Sequence, residues 1–373
     1  MDIFYTILAL LLLFGIAYAN GSNDISKTIA TLAGAGVTSV KHAILWGCFW
    51  MVMGGLSGVY WGVEIIKNLT ENIYLTSGIL PIEMAVSIAI APMIWVLLST
   101  FKKWPVSTTH AIVGSLIGAG VIALGSDFIA WEKVGKKIVL PLLISPFISI
   151  TLAIVLSPLL KSSLKQTKKY QICFSPLPRL SLVSQGSNSV AVITKEEQDC
   201  TLCSTETNIP AGTSTLRLSE DSLHWVSSGM LSFARGLNDT PKLIAVILPL
   251  ILVTNNTLHD EFFILAAMAM GLGGFISGQY ITEILGFKIT ALTHQQGFIA
   301  NLVSAFLVIG SSKMGLPVST THVSASAIMG TGLAEKNKLQ KETIISMLLA
   351  WIITVPASAA IAIFCYLLLH TAL

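Results

Sequence analysis

Two short stretches carry side chains that could bind ions, and each occurs twice. Pro105-Val106-Ser107-Thr108-Thr109-His110 is repeated letter for letter as Pro317-Val318-Ser319-Thr320-Thr321-His322, and Asn23-Asp24 is echoed by Asn238-Asp239. Pro105 follows Asp24 by 81 residues, and Pro317 follows Asp239 by 78. A proline suits the first turn of a helix, where its missing N–H is not needed. The hydroxyls of Ser107, Thr108 and Thr109, and of Ser319, Thr320 and Thr321, would then lie beside free backbone amides, and such a helix N-terminus attracts anions. The plain alternative is a capped helix whose Ser and Thr bond their own backbone. Finding the hexamer in two matching places favours the binding site.

Asn23, Asp24, Asn238 and Asp239 interrupt apolar runs. An aspartate at membrane depth costs about 2.5–3.5 kcal/mol on insertion scales. Their oxygens suit a hard cation such as Na+, or the carboxylates could carry a proton. An ion pair that merely holds the bundle together competes with this reading. Lys27 and Lys242 each follow an Asp by three residues, which puts both charges on one helix face. His110 and His322 close the hexamers and could relay protons, since an unperturbed imidazole titrates near pH 6.5; helix packing is the alternative.

The elements that must position these groups are apolar. Of 373 residues, 53% are hydrophobic and 11% charged, against about 25% charged in a soluble protein. The expected class is an all-α polytopic membrane protein. A scattered net charge of +3 gives no support for nucleic-acid binding. Met1-Asp2-Ile3-Phe4 lacks the basic start of a secretory signal, so the first run reads as a retained span. Apolar runs cover about 40–63, 79–100, 106–125 and 138–160, then about 223–254, 262–285, 289–312, 317–333 and 342–369. With about 20 residues per span, ten to twelve crossings are expected. Residues 1–160 form a first membrane repeat, 161–222 a polar linker and 223–373 a second repeat.

The linker holds Lys161, Lys165, Lys168, Lys169, Arg179, Lys195 and Arg217. Positive-inside bias places it in the cytoplasm and both termini outside, although Lys133, Lys136 and Lys137 would then face outward. An odd number of crossings per half makes the two halves inverted repeats, the architecture of secondary transporters whose sites lie at broken helices near the midplane. Both motif pairs are therefore expected to be helix breaks. Cys200-x-x-Cys203 with Cys173 has no histidine at zinc spacing and reads as part of a solvated loop. Cys48 and Cys365, in apolar runs, read as packing residues, and the eight Trp as core and interfacial anchors.

Asn20-Gly21-Ser22-Asn23-Asp24, Phe233-Ala234-Arg235-Gly236-Leu237-Asn238-Asp239 and the two hexamers resemble the motifs of the inorganic phosphate transporter (PiT) family, over nearly the whole chain apart from the linker. The resemblance implies a cation-coupled phosphate symporter in the cell membrane, without an organic cofactor and driven by Na+ or H+, with inverted repeats and a homodimeric assembly. It implies that the six hexamer hydroxyls hold the anion and that Asn23, Asp24, Asn238 and Asp239 hold cations. Three departures stand out. Lys27 and Lys242 occupy positions where the family has Asn, Arg235 stands where His is common, and Asn301 takes the place of a Glu. The two lysines are accordingly candidate substrate-binding residues, built-in counter-ions that replace Na+ and leave coupling to protons at Asp24 or Asp239; simple pairing of each Lys with its own Asp is the alternative. Gln295 and Gln296 could add polar groups.

The runner-up substrate is sulfate or another tetrahedral oxyanion, which differs from phosphate in having no proton to donate. A membrane-embedded metal or acid–base enzyme is disfavoured by the lack of a ligand cluster within one helix. A channel is the third class.

Overall fold

The computed structural model describes residues 2–75, 80–167, 181–185, 188–192, 220–253, 259–287, 289, 292–337 and 339–372. The apolar runs become helices: α1 (Asp2–Gly34), α2 (Val40–Trp61), α3 (Val63–Thr70), α4 (Ile82–Phe101), α5 (Thr108–Ala123), α6 (Trp131–Val134) and α7 (Leu140–Thr167). After a two-stranded antiparallel hairpin, β1 (Ser181–Gln185) with β2 (Asn188–Val192), come α8 (Glu220–Val253), α9 (Asp260–Ser277), α10 (Gln279–Phe287), α11 (His294–Lys313), α12 (Thr320–Ala334) and α13 (Lys341–Ala372). The hairpin lies in the 161–222 stretch read as a polar linker. Cys173, Cys200 and Cys203 fall outside the described residues.

Six of the described helices are long and apolar enough to cross a membrane, and Thr108–Ala123 is a shorter apolar helix. Their outer faces carry large exposed side chains, among them Ile3, Phe4, Leu11, Phe147, Ile352 and Phe364. In water each would forfeit about 25 cal/mol per Å² of apolar surface; against lipid tails it forfeits nothing.

The packing is reciprocal between the two halves. α2 lies along α8 and α9 along α1, while α13 lies along α5 and α7 along α12. Helices within lipid lack a hydrophobic drive toward one another, so close association relies on small residues that let backbones meet. Gly21 of α1 and Gly236 of α8, each three residues before its Asp, serve this purpose. A Cβ on either would stand 1.9 Å from a backbone carbonyl oxygen, that of Met270 or Met51 respectively.

One expectation fails. The Asn-Asp stretches do not break their helices: α1 runs unbroken through Asn20–Lys27, and α8 runs through Arg235 and Pro241. The i→i−4 ladder is indifferent to side-chain polarity, and Asn23, Lys27, Arg235, Asn238 and Lys242 each find a partner on another helix. The interruptions lie elsewhere, at Gly62 between α2 and α3, at Gly278 between α9 and α10, and in the two hexamers. The prolines are also displaced from the expected first turn. Ser107 and Ser319 are the N-caps, so Pro105 and Pro317 precede the helices by two residues more.

Gly21→Ala and Gly236→Ala should each destabilise the protein by about 1–3 kcal/mol through overpacking. Gly310→Ala, in an exposed turn of α11 where a Cβ meets nothing within 4 Å, should be neutral or gain up to about 1 kcal/mol of helix propensity. Thermal unfolding of the detergent-purified variants checks the contrast.

Candidate ion-binding site

The two hexamers meet in the buried interior. Ser107 and Ser319 cap α5 and α12, each accepting from the backbone N–H three residues on at 3.2 Å. The next threonines cross between the halves. Thr109 donates to the carbonyl of Val318 at 3.3 Å, and Thr321 donates to the carbonyl of Val106 at 3.0 Å. The His110 and His322 rings face each other with centroids 4.4 Å apart. His322 stacks on Trp351, whose indole N–H donates to the Pro105 carbonyl at 3.2 Å. His110 Nδ1 also meets Ser107 Oγ at 2.8 Å. In this conformation the His110 ring bonds the cap residue of its own helix, while the His322 ring packs on Trp351 and leaves its Nε2 unpartnered.

Onto this seam α1 and α8 deliver their charges in matched fashion. Lys27 Nζ donates to Asp24 Oδ1, to the carbonyl of Val106 at 2.7 Å and to Thr321 Oγ1 at 2.6 Å. Lys242 Nζ donates to Asp239 Oδ1 at 2.9 Å, to the carbonyl of Val318 at 2.8 Å and to Thr109 Oγ1 at 2.8 Å. An ammonium has three N–H groups, and all three are engaged in each case. Breaking one such buried pair by removing one partner costs about 3–5 kcal/mol.

Arg235 breaks the symmetry. Its Nη1 lies 3.3 Å from Asp24 Oδ2 and 3.2 Å from Thr320 Oγ1, while Nη2 donates to the Thr320 carbonyl at 2.9 Å and to Ser324 Oγ at 2.7 Å. Thr320 Oγ1 is also within 3.4 Å of Asp24 Oδ2 and 3.5 Å of Asp239 Oδ2. The equivalent place in the first half, four residues before Asp24, holds Asn20, which is buried with both side-chain polar atoms unpartnered. Counting Lys, Arg, Asp and Glu, the buried described side chains comprise Lys27, Lys242 and Arg235 against Asp24 and Asp239. One positive charge is therefore in excess.

The asparagines beside the aspartates are also matched. Asn23 Nδ2 donates to Thr100 Oγ1 at 3.0 Å and to the carbonyl of Trp104 at 3.2 Å, and Asn238 Nδ2 donates to Ser312 Oγ at 2.7 Å. The Oδ1 atoms of both are buried and unpartnered, as are Thr108 Oγ1 and Arg235 Nε. The site thus keeps free acceptors suited to a cation and free donors suited to an anion. All ten hexamer and Asn-Asp candidates are at most 5% exposed, so the site is closed over. An open cleft of about 410 Å³, lined by Lys102, Lys103, Trp104 and Pro105 with Glu342 and Met347, lies beside the first hexamer.

Gln295 and Gln296 do not join this cluster. Gln295 meets Glu220 at 3.1 Å, and Gln296 completes a capping box with Thr293 at the start of α11. Asn301 accepts from Thr31 at 3.0 Å, away from the hexamers. Sequence reasoning marked Arg235 only as a departure and passed over Asn20, Thr100, Ser312 and Ser324. A signal existed for three of these: Thr100 and Ser312 each precede a hexamer proline by five residues, and Asn20 and Arg235 share one register.

A solved structure titled "The sodium-dependent phosphate transporter" superposes with a TM-score of 0.79, covering 99% of this chain and 100% of its own, at 23% identity. A Thermococcus kodakarensis protein assigned as a phosphate permease is 28% identical over 400 residues, covering 95% of each chain. A Bacillus subtilis protein assigned as a low-affinity inorganic phosphate transporter is 28% identical over 379 residues, covering 99% of each. Fold and relatives are those of multi-pass membrane transporters. The model of the phosphate transporter family matches residues 20–362, a span that takes in both hexamers and both Asn-Asp pairs, and the chain belongs to that family.

Proposed function

We propose that this protein imports inorganic phosphate across the cell membrane by alternating access, coupled to an inward gradient of Na+ or H+. The two halves, residues 1–160 and 223–373, act as inverted repeats with ten to twelve crossings, the 161–222 linker lies in the cytoplasm with both termini outside, and the working unit is a homodimer. The observation that carries the reading is the excess buried positive charge at the junction of two helix N-termini. A charge so placed in a low-dielectric interior calls for an anion. The hydroxyls of Ser107, Thr108, Thr109, Ser319, Thr320 and Thr321, with Arg235, supply the donors, and the free Thr108 Oγ1 and Arg235 Nε supply capacity beyond what the protein itself consumes. The relatives' assignments support phosphate as the substrate.

The closed state fits the middle of an alternating-access cycle, with the cleft beside Pro105 as one approach. Opening must part the two hexamers, which breaks the reciprocal Thr109–Val318 and Thr321–Val106 bonds and draws Lys27 and Lys242 off one hexamer each. Coupling is needed because each charge moved against 100 mV costs about 2.3 kcal/mol. Asn23, Asp24, Asn238 and Asp239 are the cation-side groups in this reading, and His110 and His322 stand between the hexamers as candidate proton carriers.

A specific observation keeps sulfate as the second reading. Asp24 has both oxygens engaged by Lys27 and Arg235, so it has little capacity to accept the proton that marks phosphate. The unpartnered Oδ1 atoms of Asn23 and Asn238 favour phosphate, since an amide oxygen can accept a hydrogen bond from its P–OH.

Purified protein in proteoliposomes should accumulate labelled phosphate when an inward cation gradient is imposed, and excess sulfate should not compete. Carriage of labelled sulfate with loss of phosphate uptake would move the assignment to sulfate. Arg235→Gln removes the excess charge and a charge-assisted bond set worth about 1.5–3 kcal/mol. It should raise the KM for phosphate by about 10–100-fold, with a smaller change in maximal rate.

A further inference from the structure

Lys27 and Lys242 are more than partners of their aspartates. Each ammonium is enclosed by three oxygens of three chemical kinds: a carboxylate, a backbone carbonyl and a threonine hydroxyl. The carboxylate comes from the lysine's own helix, the carbonyl from one hexamer and the hydroxyl from the other. Such mixed oxygen shells are what proteins offer to hard cations. The three donors of an ammonium match the three acceptors one to one, and both side chains are 1% exposed.

We infer that the ammonium groups of Lys27 and Lys242 are tethered cations that fill the two carboxylate-bearing cation seats of this transporter, so that its anion moves without Na+ at these positions. The inference rests on the reading of the Asn-Asp pairs as cation-side groups, and it names the occupant of those seats. Three observations carry it. The oxygen shells are complete, leaving no donor for another task and no carboxylate oxygen of the Lys-bound pair directed at empty space. They are duplicated in both halves, atom type for atom type, which an incidental ion pair would not require. And a second cation placed in either shell would lie against a fixed like charge at hydrogen-bond distance, where low dielectric makes repulsion severe. A lysine in such a seat also behaves differently from a diffusible ion. It neutralises the aspartate in every state of the cycle and never dissociates to either side, so it contributes binding energy without contributing drive.

The test reads the cation seat separately from the substrate. Melting temperatures of the purified full-length protein are measured in choline chloride and in NaCl at equal ionic strength, for the unaltered chain and for Lys27→Asn, Lys242→Asn and the corresponding Lys→Gln variants. Phosphate uptake is then measured in both salts. The unaltered chain should show no Na+-specific change in melting temperature and uptake equal within about twofold in the two salts. An opened seat in a folded Lys→Asn or Lys→Gln variant should bind Na+, raising the melting temperature by about 2 °C or more through ligand linkage. Uptake by that variant, where it persists, should be stimulated several-fold by Na+. A Na+-specific stabilisation of the unaltered chain, or folded variants that remain blind to Na+, overturns the inference. If the unaltered chain carries no phosphate in either salt, the phosphate reading fails while the melting data still decide who occupies the seats.

Discussion

Among the described residues, five charged side chains sit in the interior of an apolar protein, and each needs a partner of opposite charge or a hydrogen bond. This constraint organises the rest of the structure. Asp24 and Asp239 are each met by a lysine one turn along the same helix, but that local pairing leaves further ammonium protons to satisfy. The nearest suitable oxygens lie on the two hexamers, so the hexamers must be brought together from opposite halves of the chain. The Thr109–Val318 and Thr321–Val106 bonds, the His110–His322 ring contact with Trp351 stacked on His322, and the close contact of α1 with α8 all follow from that meeting. Arg235 shares Asp24 with Lys27, which leaves one more positive than negative charge buried among the described residues, and the proposed anion site rests on that surplus.

Keeping α1 and α8 continuous has a structural consequence. Had the helices broken at the aspartates, free backbone groups would have needed partners at membrane depth, where water is absent. Unbroken helices satisfy their own backbone and present only side chains to the site. At the site itself the interrupted backbone belongs to the hexamers, where the caps Ser107 and Ser319 and the crossing threonines help to satisfy it. Gly21 and Gly236 let α9 and α2 lie directly against these continuous helices, which fixes the height at which the charges sit.

Much of this was legible in the residues. The duplicated hexamer, the duplicated Asn-Asp pair and the apolar runs pointed to paired helical halves with a helix starting in each hexamer, and the helices fall close to the runs. The pairing of Lys27 with Asp24 and of Lys242 with Asp239 followed from their spacing. Other features were hidden for identifiable reasons. A polar stretch inside an apolar run looks like a break, yet side-chain polarity does not interrupt a hydrogen-bond ladder. The reach of Lys27 to Thr321, of Lys242 to Thr109 and of Arg235 to Asp24 spans from 133 to 294 residues for the hydrogen-bonded pairs and belongs to tertiary packing alone. The short helix α3 and the β1–β2 hairpin are too brief to leave a periodic signature in surrounding sequence.

The central claim is that a tetrahedral anion binds where the N-termini of α5 and α12 meet. Arsenate, a tetrahedral analogue of phosphate with strong anomalous scattering, locates such a site directly in crystals of the protein. The account predicts one anomalous peak within hydrogen-bond reach of Thr108 Oγ1 and Arg235 Nε, displaced by excess phosphate. A phosphate-displaceable peak confined to the cleft lined by Lys102, Lys103 and Pro105, with none between the hexamers, would contradict it.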